Sequence, residues 1–175
     1  MMNYHNITYP DQNNGDGLRV VLWVSGCSHH CVNCQNQQTW NPDSGVVFDD
    51  AAKQELFAAL NHDYIRGITF SGGDPLYKNN IVEILNLCTE IKKQFPDKNI
   101  WLYTGYTLNE FFSDQQTTYD NLIRQEIVKL VDVIVDGEYI EKLRDITLKW
   151  RGSSNQRVID MKKTIDTKKI VLHCD

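Results

Sequence analysis

Residues 19–36, Arg-Val-Val-Leu-Trp-Val-Ser-Gly-Cys-Ser-His-His-Cys-Val-Asn-Cys-Gln-Asn, decide how this chain is read. The stretch Arg19–Ser25 is β-branched, aromatic and almost unbroken in apolarity, which predicts a buried strand. It delivers Cys27, Cys31 and Cys34 into one short loop with C-x3-C-x2-C spacing. Three thiolates so close together can hold three irons of a 4Fe–4S cluster and leave the fourth iron open. Structural zinc is the rival, since it takes four ligands and His29, His30, His173 or Cys174 could complete a set. Zinc sites usually pair two ligands with a distant second pair, and an electron-carrier cluster normally has four cysteines. The spacing, set directly after a strand, favours an iron–sulfur cluster on Cys27, Cys31 and Cys34.

Working outward, strand and helix alternate. Asp49 or Asp50 can cap a helix reaching Leu60, and Gly67–Ser71 is a short strand ended by Gly72-Gly73-Asp74-Pro75. Residues 80–94 repeat their apolar positions with helical spacing and stop before Pro96. Cys88 falls on that apolar face and reads as a small buried hydrophobe. Asn99–Thr104 predicts a strand, Tyr119–Leu130 a helix, and Val131–Asp136 a further strand closed by Gly137. Weaker strand signals lie at Arg157–Asp160 and Lys168–His173. The alternation predicts an α/β chain of parallel strands whose carboxyl ends gather the ligand-binding loops. A complete eightfold barrel needs about 250 residues, more than the 175 available. The expectation is an open, partial (β/α) barrel of about five or six units, forming a single domain over 1–175.

Composition narrows the function classes. A net charge of −5 offers no footprint for phosphate backbones, so no nucleic acid partner is expected. The amino terminus is polar, and no apolar run approaches a membrane span, so no membrane association is expected. Five cysteines, three of them crowded together, fit metal or redox chemistry in a reducing cytoplasm better than a disulfide framework. Cys174, beside the carboxyl terminus, reads as incidental.

The strand ends carry the remaining candidates. Glycines at Gly72 and Gly73 let a ligand approach backbone carbonyls, which can accept from an ammonium group, and Asp74 can add a carboxylate acceptor. Thr104-Gly105-Tyr106 and Asp136-Gly137 are turn-like. A buried Asp136 would need a partner such as a ligand hydroxyl, a cation or a lysine. Arg151 and Arg157 flank a polar stretch that suits either a solvated loop or contact with an anionic group. The His29-His30 pair reads as loop surface, and Trp23, Trp101 and Tyr103 as core.

With C-x3-C-x2-C after one strand and Gly-Gly-Asp-Pro after the next, the chain resembles the radical S-adenosylmethionine enzymes. The likeness narrows further through Asn14-Gly-Asp-Gly-Leu-Arg19, Trp23-Val-Ser-Gly-Cys27, Gln35-Asn36 and Ser71-Gly-Gly-Asp-Pro-Leu76. It continues through Trp101-Leu-Tyr-Thr-Gly-Tyr106, Val135-Asp-Gly137 and Lys149-Trp-Arg-Gly-Ser-Ser-Asn-Gln156. Together these look like the family of activating proteins for anaerobic (class III) ribonucleoside-triphosphate reductases, with 162–175 outside the match. The chain departs from many radical enzymes at Asn33, where an aromatic residue is common, and at Asp74, where glutamate is common.

The resemblance implies a 4Fe–4S cluster with three cysteine ligands, and S-adenosylmethionine bound at the fourth iron. Gly72, Gly73 and Asp74 would receive the methionyl ammonium, Asn33 and Gln35 would flank the adenine, and Thr104 and Asp136 would complete the cofactor site. Reductive cleavage would yield a 5′-deoxyadenosyl radical that abstracts hydrogen from a glycine of the partner reductase large subunit. No protein residue need then act as a catalytic acid or base, and a low-potential electron donor such as flavodoxin is implied. The alternatives are activation of another glycyl-radical enzyme of the pyruvate formate-lyase type, or a non-catalytic zinc-binding interaction module.

Overall fold

A computed structural model describes residues 1–112 and 118–174. Residues 113–117, and residue 175 at the end of the expected domain, lie outside the described part. The strands are β1 (Asn3–Asp11), β2 (Arg19–Val24), β3 (Val46–Val47), β4 (Gly67–Gly72), β5 (Asn99–Tyr103), β6 (Val133–Asp136) and β7 (Arg157–Asp160). The helices are α1 (Asp50–Leu60), α2 (Ile81–Gln94), α3 (Leu108–Phe111), α4 (Tyr119–Leu130) and α5 (Met161–Thr167). Among the described residues the strands form one mixed sheet in the order β3-β1-β2-β4-β5-β6-β7, not closed into a barrel.

The four central strands, β2, β4, β5 and β6, run parallel, so their carboxyl ends share one rim. The margins run antiparallel, which departs from the all-parallel expectation. The strand beginning at Arg19 is also the second strand and not the first. The preceding strand β1 is mostly polar because much of it faces solvent, and the pattern-based reading therefore passes over it. Its anchors are buried Met2 and Ile7 and a hydrogen bond from Trp23 Nε1 to Thr8 Oγ1 of 2.9 Å.

Period-two alternation divides the sheet into two faces. Val20, Leu22, Val24, Ile68, Phe70, Ile100, Leu102 and Ile134 join the core that includes Leu56 and Leu60 of α1, Ile84 and Leu87 of α2, and Ile127 of α4. Cys88 is fully buried there, as expected, and burial pushes its thiol up to about 12. Caps hold these helices in register: Asp49 accepts from Ala52 N at 2.9 Å, and Thr118 from Asn121 N at 3.2 Å.

The second face holds Trp101, Val133, Val135 and Val158, with Tyr103, Trp150 and Cys174 packed against them. Cys174 is thus part of a packed cluster and not incidental. Arg19, fully buried on this face, bonds to neutral acceptors: Thr69 Oγ1 at 2.7 Å, Asn99 Oδ1 at 2.7 Å and Asp16 O at 3.0 Å. Burial lowers its guanidinium to about 10, and its charge lies 5.3 Å from the centre of the Trp101 ring.

Helix α5 follows β7 directly, capped by Asp160, which accepts from Lys163 N at 2.9 Å, and the strand expected at Lys168–His173 is reduced to one antiparallel bridge between Leu172 and Ile159. Lys168 ends the helix in the left-handed conformation. The tail then returns along β7: Asp160 N donates to Val171 O at 2.9 Å and His173 N to Val158 O at 2.8 Å. His173 Nε2 lies 2.6 Å from Asp16 Oδ2, tying the tail to the turn before β2. No helix among the described residues is long and apolar enough to cross a membrane.

Candidate functional site

The cysteine loop leaves β2 at the rim and is pinned at its base. Gly26 N donates to Thr39 O at 2.7 Å and Cys27 N to Trp40 O at 3.1 Å. His30 and Asn33 both adopt positive φ, near +50° and +58°, which lets the loop curl within eight residues. Asparagine tolerates that conformation and a bulky aromatic residue resists it, a physical reason for Asn33 at this position. Cys27, Cys31 and Cys34 are all half-buried, and none is in a disulfide.

Burial pushes the Cys27 thiol up to about 11, partly offset by backbone N–H groups of His29 and His30. Burial likewise raises Cys31, offset by the backbone N–H of Tyr139. Asn36 N approaches Cys34 Sγ at 3.4 Å. Such N–H groups aimed at sulfur are what a buried anionic cluster needs, because they stabilise charge on thiolates. Three soft donors, with backbone amides turned toward them, fit an iron–sulfur group. Among the described residues, no three His, Cys, Asp or Glu side chains stand as a finished single-ion cage.

The glycine pair is required by close packing. Gly72 has φ near +103°, and a Cβ there would lie 2.8 Å from both Val24 N and Val24 O. At Gly73 a Cβ would meet Gly26 O at 2.6 Å. Gly73 N donates to Val24 O at 2.8 Å and Asp74 N to Gly26 O at 2.7 Å, so the end of β4 is riveted to the root of the cysteine loop.

Asp74, 1% exposed, is the hub. Its carboxylate accepts from Leu76 N at 2.8 Å, Thr104 Oγ1 at 2.9 Å and Gly105 N at 3.0 Å. His29 Nε2 also lies 3.0 Å from Asp74 Oδ2, an ion-pair contact without hydrogen-bond alignment, while Nδ1 meets Glu138 Oε1 at 2.7 Å. Burial alone would lower His29, but the contacts with Asp74 and then Glu138 outweigh it and raise the imidazole to about 9. His29 is therefore not loop surface, and the reading that made it so missed a residue packed edge-on to Tyr106, ring centres 4.6 Å apart. Gly105 is the one signal that could have exposed it: a Cβ there would collide with the His29 ring at 2.4 Å.

Asp136, also 1% exposed, has the cationic partner its burial demands. Arg157 Nε donates to its Oδ1 at 2.9 Å, Arg157 Nη2 closes a second bond, and Leu108 N donates to Oδ2 at 2.8 Å. Hydrogen bonding to Asp136 raises the Arg157 guanidinium. Arg157, suggested as an anion contact, is thus engaged within the protein.

Two cavities flank the loop. One of about 290 Å³ is lined by His29, Gly105, Asp136, Gly137 and Glu138 among others. The other, about 410 Å³, opens on the second face between Gln35, Asn14, Tyr103, Tyr139, Trp150 and Arg151. The predicted site residues are therefore divided: Asp136 borders the first cavity, Gln35 the second, while Thr104 is locked onto Asp74 and Asn33 is exposed.

Fold and site together define a cysteine-loop α/β protein of the iron–sulfur class, and residues 13–159 match the 4Fe-4S single cluster domain family. The chain is 45% identical over 157 residues to the anaerobic ribonucleoside-triphosphate reductase-activating protein of Enterobacteria phage T4, covering 90% of this chain and 93% of that one. It is 42% identical over 159 residues to the Escherichia coli K12 protein of that name, covering 90% and 97%, and 40% identical over 157 residues to the Haemophilus influenzae one, covering 89% and 96%. The chain belongs to the family of anaerobic ribonucleoside-triphosphate reductase-activating proteins.

Proposed function

We propose that this protein activates an anaerobic ribonucleoside-triphosphate reductase by reductive cleavage of S-adenosylmethionine, in the cytoplasm and with a low-potential donor such as flavodoxin. The observation that carries this reading is the loop of three half-buried thiols riveted to the Gly72-Gly73 strand end. Cys27, Cys31 and Cys34 would hold a 4Fe–4S cluster, the open sheet serving as a truncated radical-enzyme barrel. When bound, the cluster would supply the electron for splitting the sulfonium of S-adenosylmethionine, the chemistry by which hydrogen would be taken from a glycine of the reductase.

The chain's own residues position and shield. Gly72 and Gly73 present backbone beside the loop for the methionyl ammonium, and Asp74 holds Thr104, Gly105 and His29 in place around it. Asn33 and Gln35 border the adenine side. Asp136, neutralised by Arg157, frames the far wall. Binding of the cluster would release protons, because burial favours the neutral thiol at Cys27 and Cys31.

The test is anaerobic incubation of the reconstituted protein with S-adenosylmethionine, a reductant and the reductase. 5′-Deoxyadenosine and a glycyl electron-spin signal are expected, and Cys31→Ala should abolish both. Cleavage by the Cys31→Ala protein at the wild-type rate would overturn the ligand assignment.

A further inference from the structure

Three buried side-chain nitrogens among the described residues lack a hydrogen-bond partner: His29 Nε2, Trp150 Nε1 and Arg151 Nε. The first has its ion-pair contact with Asp74. The other two belong to consecutive residues that line the 410 Å³ cavity, on the segment between β6 and β7. Buried donors left unpaired weaken a fold, so a pair of them on one cavity wall calls for an explanation in terms of a ligand. Trp150 moreover holds φ near +62°, a strained conformation for a bulky residue and one that concentrates at binding sites.

The chemistry of the wall specifies what it takes. An indole N–H and a guanidinium N–H only donate, so the ligand must present acceptor oxygens, as backbone carbonyls or carboxylates do. Arg144 and Arg151 outnumber Asp145 on the same wall, which favours carboxylate over ammonium. The volume suits a ligand-sized group.

The surroundings decide between a small molecule and a chain. Ile146, on the cavity lip, is 82% exposed, and Val32, in the cysteine loop, is 71% exposed. Ile140 and Leu143 of the same segment also face solvent. Uncovered apolar residues beside a polar cleft mark a macromolecular contact, and a small ligand would leave them bare.

We infer that residues 138–152 form the surface that reads the partner reductase, with the Trp150 indole and the Arg151 guanidinium, whose Nε1 and Nε are sealed and unpaired in the free protein, turning on binding to donate to carbonyl or carboxylate oxygens of an extended polypeptide segment in the cavity. This rests on the activase reading above and adds to it the residues that recognise the substrate chain.

Trp150→Phe and Arg151→Met, each reconstituted anaerobically as full-length protein, test the assignment. Expected is a rise of roughly tenfold in the KM for the reductase during glycyl-radical formation for each variant, with wild-type iron content and the larger share of the loss on reductase affinity, not on S-adenosylmethionine affinity. An equal or larger loss of S-adenosylmethionine affinity would assign the cavity to the small molecule and overturn the proposal. Unchanged affinities in both variants would overturn it too, leaving two structural donors. Should Trp150→Phe misfold, the partly exposed Arg151 still decides. A wild-type protein that fails to cleave S-adenosylmethionine refutes the activase reading itself, whereas an active wild type matched by both variants refutes only this assignment.

Discussion

Asp74 and Asp136 stand at the same rim, two strands apart, equally buried, and solve the problem of a buried carboxylate differently. Asp136 meets an arginine, a permanent cation fixed on edge strand β7, and closes two bonds to it. Asp74 gathers three neutral donors from the turn after β5 and from its own turn, and its cationic partner is a histidine carried by the cysteine loop. One junction holds its charge balance at any ordinary pH. The other ties charge balance to the position and protonation of the loop that bears the thiols. The rim therefore has a rigid side and a responsive side.

The sharpest way to break this contrast is at the root of the responsive side. Gly72→Ala adds a Cβ against the Val24 backbone at a φ that L residues avoid. It should cost about 4 kcal/mol of unfolding free energy, combining backbone strain with overpacking. Chemical denaturation checks this, and a loss near zero would mean that β4 and β2 can part without penalty. On the rigid side, Asp136→Asn keeps an acceptor for Leu108 N but strands Arg157 without its counter-ion. A loss of about 2 to 3 kcal/mol is expected, read as a lower urea midpoint with an unaltered slope. An equal loss from Asp74→Asn at high pH would erase the distinction drawn here.

The finest test is pH. The folded His29 imidazole titrates near 9 against an ordinary value of 6.5. Its contribution to the metal-free protein is therefore complete below about 6.5 and disappears as pH climbs through 9. The swing should be on the order of 1 to 2 kcal/mol after allowance for the solvent that reaches Glu138. His29→Gln should flatten that slope between those limits, and a slope that survives the substitution would place its origin elsewhere.

What the sequence made legible follows from where information resides in it. Strands covered on both faces, such as β2 and β4, are spelled in continuous apolar residues, and helix α2 in a repeat that ends before Pro96. The cysteine loop and glycine pair were visible because their spacing is local. Strand β1 was not, since it gains its character from pairing with β2 and not from its own composition. Helix α5 went unread because seven residues carry too little periodicity to announce a helix, and the apolar run after it predicts a strand where a single bridge between Leu172 and Ile159 forms. The role of His29 depends on Asp74, Gly105 and Glu138, contacts as much as 109 residues distant, and no window along the chain spans them.

The returning tail has one more consequence. By lying along β7 it takes up one amide and one carbonyl of the strand's outer edge, Asp160 N and Val158 O, that the sheet would otherwise present. A bare margin of that kind invites a stray strand from a second molecule to add itself. Residues 171–173 thus work as a selvedge, closing part of this border of the sheet to growth.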